Sequence, residues 1–132
     1  MFSGLFHVNE IPKKIQTHKF LVVHDSNHWG VIHKNLLKEI ELFDSIGRNS
    51  PLAKAVIKHF DGVKNFTCNQ IQLQTNKSAL CGEYVIYFII KRFYDSDIWF
   101  SDFINVYFST NQEKNEKKVS KYIQKLQHGI QS

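Results

Sequence analysis

Lys19-Phe20-Leu21-Val22-Val23-His24, the turn formers Asp25-Ser26-Asn27, and then His28-Trp29-Gly30-Val31-Ile32-His33 decide the fold class. β-Branched and aromatic residues crowd both runs, and Asp, Ser and Asn between them favour chain reversal over continued extension. The stretch predicts a β-hairpin with His28 close to its turn. Downstream, Ile40-Glu41-Leu42-Phe43 alternates and ends at Asp44-Ser45-Ile46-Gly47. That pattern predicts a third strand running into a glycine turn, with Asp44 at the strand end. A fourth strand is expected over Asn69 to Leu73, where Ile71 and Leu73 alternate with Gln70, Gln72 and Gln74.

Helices fill the rest. Asn49-Ser50-Pro51 supplies a cap and an N1 proline for a helix over Leu52 to Phe60, which Asp61-Gly62 ends. Leu80 to Tyr94 is apolar almost all round and meets no breaker after Gly82. Such a segment reads as a buried helix, capped by Ser78 or Asn76, with Cys81 in its first turn. Two more helices are expected over Ile98 to Phe108 and Glu113 to Gln127, the last with a seam of Val119, Tyr122, Ile123 and Leu126. The first eighteen residues, punctuated by Gly4 and Pro12, read as short turns or a short helix at the domain edge. The whole is an α+β fold: one domain over residues 1–132, a small mixed sheet with helices packed on it.

Composition bounds the function. Hydrophobic content of 42%, including eleven Phe, five Tyr and two Trp, supports a packed core and argues against disorder. No run approaches the roughly 20 apolar residues of a membrane span, and the start lacks the pattern of a secretory signal. An intracellular protein in a reducing compartment is expected, since two cysteines, Cys68 and Cys81, are too few for a disulfide framework. The net charge of +5 suits contact with DNA or another polyanion, or a plain lysine-rich surface. Lys114, Lys117, Lys118, Lys121 and Lys125 recur at steps that return to one helix face, and a solvated face is the simpler reading. No metal-ligand spacing, phosphate loop or cofactor fingerprint is present, so no cofactor is expected.

A cysteine in an apolar helix is usually a small core residue. Position distinguishes Cys81, because the unpaired N–H groups of a helix N-terminus favour a nearby anion such as a thiolate. A nucleophilic thiol also needs a base, and the base needs a group to orient it. Of seven histidines, His7, His18, His59 and His128 sit in surface-like contexts, and His24 and His33 read as scaffold residues of the strands. His28 differs: it opens a strand whose neighbour can carry Asp44 to its side, with Trp29 placed to shield the pair.

The residues His28-Trp29, then Leu42-Phe43-Asp44-x-x-Gly47, then Gln74-Thr75-Asn76-Lys77-Ser78-Ala79-Leu80-Cys81-Gly82 resemble the adenain family of adenovirus-type cysteine proteases. A more distant resemblance is to proteases that remove SUMO-like modifiers. Those enzymes hold their glutamine one residue closer to the cysteine and usually have Asp where Leu80 stands. The resemblance reaches weakly to Gly4-Leu5-Phe6 and Pro12 and on to about Phe108. It implies His28 as base, Asp44 as orienting acid, Cys81 as nucleophile and Gln74 as oxyanion donor. It further implies a viral or virus-like-transposon maturation protease cutting structural precursors at Gly-containing sites, located in a virion or host nucleus. Many adenoviral enzymes carry Glu where Asp44 stands, and they are longer, which puts their activator-peptide and DNA surfaces in doubt here. Cys68 lies loosely where adenain pairs a cysteine with its activating peptide, but its spacing differs, and a structural cysteine is the alternative.

Overall fold

The central strands are apolar on both sides, and a strand of that kind requires cover on both faces. In the computed structural model, which describes residues 2–131 and side chains 4–129, β2 (Phe20–His24), β3 (Trp29–Lys34) and β4 (Ile40–Phe43) form an antiparallel meander. Strand β1 (Phe2–His7) lies parallel to β2, and β5 (Phe66–Cys68) parallel to β4, in the order β1-β2-β3-β4-β5. The expected hairpin pairs Phe20 with His33 and His24 with Trp29.

Alternation sends Phe20, Val22, Val31 and Phe43 to one face, where they meet Tyr84, Val85 and Phe88 of α2 (Cys81–Tyr94), Phe103 of α3 (Phe100–Tyr107) and Val119 of α4 (Gln112–Gln131). Leu21, Val23, Ile32 and Leu42 point the other way, onto Leu52, Ala53 and Val56 of α1 (Pro51–His59) and onto Ile11 and Ile15. The sheet is thus the middle of three layers. Ser50 caps α1, accepting from the Ala53 N–H at 2.9 Å, with Pro51 at the first helical position as expected.

Several expectations are corrected. The first eighteen residues contain β1, followed by a 3-10 turn at Val8–Glu10; Gly4, at φ +132°, marks a bulge where the β1–β2 register shifts, not a turn between elements. The fourth-strand segment Asn69–Leu73 is irregular, and the strand lies earlier, at Phe66–Cys68. Irregular bonds replace a ladder there: the Asn69 side chain bonds both backbone groups of Asp44, and the backbone N–H groups of Leu73 and Gln74 converge on one carbonyl, that of Ser45. Helix α2 is not enclosed, because Ile86 and Tyr94 are exposed. Nor does Ser78 or Asn76 cap it: Leu80 is its N-cap, without a side-chain bond, while Ser78 Oγ accepts at 3.1 Å from the N–H of Leu80 itself and from none in the first turn of the helix. Helix α3 begins at Phe100 and α4 runs on past Gln127.

A buried ion cluster ties α2 to the sheet. Glu41 on β4 accepts from Arg92 Nε at 3.0 Å and Nη2 at 2.8 Å, from Asn35 at 2.8 Å, and meets His33 Nδ1 at 3.0 Å. Arg92 Nη1 and Nη2 also donate to the carbonyls of Asp95 and Ile98, respectively, and the guanidinium lies 4.9 Å from the Phe103 ring. Burial would raise the Glu41 acid, but hydrogen bonds from His33 and Arg92 outweigh it and hold the carboxyl below its ordinary range. Burial lowers His33, assisted by the charges of Arg92 and His18 and opposed by Glu41.

Candidate active site

The Asp25 carboxylate closes the β2–β3 turn by accepting from the N–H groups of Asn27 at 3.1 Å and His28 at 2.9 Å, with Ser26 in the left-handed region at φ 82°. This fixes His28 at the mouth of β3. Asp44 leaves the end of β4 beside it, and His28 Nε2 meets Asp44 Oδ1 at 2.6 Å. The side chain of Asp44 is fully buried and that of His28 is 14% exposed, so the ring alone faces outward from the pair.

Asp44 is held from every side. Ile46 N–H donates to Oδ1 at 2.8 Å, the Ser50 hydroxyl donates to Oδ2 at 2.5 Å, and Asn69 fastens the backbone through bonds of 2.9 and 2.7 Å. The same Ser50 hydroxyl accepts from the first turn of α1, so one side chain caps the helix and orients the carboxylate. Gly47 closes the turn, its N–H donating to the Asp44 carbonyl at 2.8 Å with φ +93°. A Cβ there would lie 2.9 Å from the Ile71 carbonyl oxygen, so both conformation and space demand glycine.

Ser45, the next residue, holds Gln74. The Gln74 N–H donates to the Ser45 carbonyl at 2.9 Å, and the Ser45 hydroxyl donates to Gln74 Oε1 at 2.5 Å. Gln74 Nε2 donates one hydrogen to the Ser78 carbonyl at 2.9 Å, which leaves its second hydrogen for another acceptor. Adjacent residues at one strand end therefore position the histidine and the glutamine separately.

Cys81 is the first residue of α2 and is partly exposed; the space a Cβ on Gly82 would occupy is open. Since Asp44 takes Nε2, the His28 nitrogen left to exchange a proton with a thiol is Nδ1. No hydrogen bond joins the Cys81 thiol to His28 in this state, and such contacts often tighten only once substrate is bound. The two cysteines differ sharply: Cys68 is buried and its thiol is pushed up to about 12, chiefly by burial and secondarily by the Asp44 charge. That environment suits a structural residue rather than a disulfide partner for an activating peptide.

Glu41, three residues before Asp44, is engaged with His33 and Arg92. Trp29 is exposed and leans on His24, 5.4 Å away between rings, while Ser50, Ile46 and Asn69 hydrogen-bond Asp44. His33, read as scaffold, is buried and stacked on Phe20 at 3.9 Å. His18, read as a surface residue, stacks on Phe93 and buries its Nδ1. Ser45, Ser50 and Asn69 escaped the sequence reading as site residues. Ser50 was visible only as a helix cap, Ser45 had the signal of adjacency to Asp44, and Asn69 had none.

Of the lysine stripe, Lys118, Lys121 and Lys125 gather with Lys91 around Tyr87 and Tyr122, Lys91 Nζ lying 4.3 Å from the Tyr122 ring. Lys118 donates to the Tyr107 carbonyl at the end of α3 at 2.8 Å. No helix among the described residues is long and apolar enough to cross a membrane, and no group of three or more ligating side chains that could hold a metal occurs among them. No protein-family model matches the chain, and no curated protein matches it.

Proposed function

We propose that the protein is a cysteine endopeptidase, with Cys81 as nucleophile, His28 as base and acid, Asp44 as the carboxylate that orients His28, and Gln74 as an oxyanion donor. The observation that carries this reading is the 2.6 Å His28–Asp44 contact, buried on the Asp44 side and open at the ring, beside a Gln74 with a spare amide hydrogen. In acylation His28 Nδ1 accepts the thiol proton and Cys81 Sγ bonds to the peptide carbonyl carbon, placing negative charge on the oxygen. Gln74 Nε2 donates to that oxygen. The C–N bond then breaks as His28 returns the proton to the leaving amine, and a water deprotonated by His28 hydrolyses the thioester, freeing Cys81.

The resemblance to adenain supports a protein or polyprotein substrate cut at Gly-containing sites, with a virus or virus-like transposon as the setting. The alternatives are deconjugation of a ubiquitin-like modifier and an inactive binding protein on the same fold. The seven-residue spacing from Gln74 to Cys81 disfavours the first. The presence together of His28, Asp44, Gln74 and Cys81 disfavours the second, since a scaffold has no evident use for all four.

Incubation with Gly-Gly-type peptides and a thiol-reactive probe, with and without DNA, tests the reading. Turnover and labelling should vanish in Cys81→Ala and persist in Cys68→Ser. Undiminished turnover in Cys81→Ala would end the cysteine-protease reading.

A further inference from the structure

Helix α4 reaches both halves of this site through one carboxylate. Glu116 Oε1 accepts from the hydroxyl of Thr75, the residue after Gln74, at 3.1 Å, and Oε2 accepts from the hydroxyl of Tyr84, which lies three residues after Cys81. Its neighbour Asn115, fully buried, donates to the Leu73 carbonyl at 3.1 Å, just before Gln74. The segment Leu73 to Thr75 is therefore held by side chains from α4 on both sides of the glutamine. Thr75 also accepts the Ser78 N–H at 3.2 Å, in the turn whose Ser78 carbonyl orients the Gln74 amide.

We infer that Glu116 is a positioning residue for the reaction, tying the loop that carries Gln74 to the helix that begins with Cys81. The inference rests on the protease reading above and adds a part to it. Two ties to one carboxylate constrain the separation of loop and helix, and with it the distance from thiol to oxyanion donor. Burial, reinforced by the Glu116 bond and charge, keeps the Tyr84 hydroxyl protonated, so Tyr84 acts as donor and Glu116 as acceptor at working pH. Releasing Thr75 lets the Gln74 amide wander while leaving the thiol and the His28–Asp44 pair untouched.

The test uses Thr75→Val, Glu116→Ala and Glu116→Gln. Thr75→Val keeps shape and removes the donor; Glu116→Gln keeps an acceptor for Tyr84 and presents an amide to the Thr75 oxygen. Thr75→Val and Glu116→Ala should each lower kcat about 10- to 100-fold, the scale for a misplaced catalytic group, with KM little changed. Glu116→Gln should restore most of the loss, and alkylation of Cys81 by iodoacetamide should keep its wild-type rate in Thr75→Val. In a Gln74→Ala background Thr75→Val should cost nothing more, because the group it positions is gone. An equal loss in both backgrounds overturns the inference. Amide hydrogen exchange over residues 73–80, measured in Cys81→Ala protein, reads the tie without turnover. Exchange should quicken when Thr75→Val is added, and unchanged exchange overturns the tie. A wild-type protein without Cys81-dependent turnover whose loop still loosens would sink the protease reading and leave the tie standing.

Discussion

Asp44→Asn is the sharpest probe of the site, because the surroundings allow the amide without unfolding. With Oδ1 kept toward Ile46 and His28, the new Nδ2 donates to the Ser50 hydroxyl, which already accepts one hydrogen bond and has a second lone pair to offer. The Ser50 hydrogen loses Oδ2 as acceptor, at a cost of about 1–3 kcal/mol. What disappears is the negative charge beside a ring that must become positive during acylation. The contact is 2.6 Å between heavy atoms, but both charges are delocalised. Charge centres about 4 Å apart at an effective dielectric of about 20 attract by about 4 kcal/mol. Each 1.36 kcal/mol is a factor of ten, so kcat should fall on the order of 10³-fold from the lost charge, and toward about 10⁴-fold if the amide also holds the ring in the wrong tautomer. The assay is kcat and kcat/KM on a Gly-Gly-type peptide across pH, beside a thermal melt of both proteins. The melt should fall but still show a folded protein, and the loss of activity should appear in kcat. A folded Asp44→Asn enzyme with wild-type kcat would refute the reasoning and show that Asp44 only braces the turn.

Gln74→Ala should lower kcat by about 10² to 10³ with KM nearly unchanged, and Gln74→Glu more so, because a carboxylate repels the developing oxyanion; an unstable but fully active Gln74→Ala protein would remove Gln74 from the site. Arg92→Met should destabilise the fold by about 3–5 kcal/mol in denaturant titration, since it strands the buried Glu41 charge; a change near zero would show that Asn35 and His33 satisfy Glu41 alone. Stability should also decline as pH falls. The folded-state value of His33 lies below its ordinary 6.5, so the unfolded chain binds that proton first and stability drops below about pH 6.5. Glu41, lowered from 4.5, adds to the decline below that value. Each proton contributes a slope of at most about 1.4 kcal/mol per pH unit, and His33→Phe should flatten the limb between 6.5 and 4.5; an equal slope in that variant would refute the assignment to His33.

The sequence by itself determined whatever rests on local chemistry. The hairpin from Phe20 to Lys34, the strand ending at Asp44 and the helix capped by Ser50 were legible because turn formers, alternation and caps act between neighbours. Cys81 at a helix start was legible for the same reason, although Leu80, not Ser78 or Asn76, proved to be the N-cap. His28, Asp44, Gln74 and Cys81 were singled out as a set through the family resemblance of their motifs. The tertiary structure alone decided that Asp44 and His28 meet, that Ser45 steadies Gln74, and that Ser50 and Asn69 brace Asp44. Strand β1 and the displaced β5 also belong to the tertiary level, since each is a parallel edge strand that exists only by pairing with a partner distant in sequence. Asn69 makes the physical reason plain: its amide finds Asp44 twenty-five positions away, and no periodicity of its own segment encodes that partner.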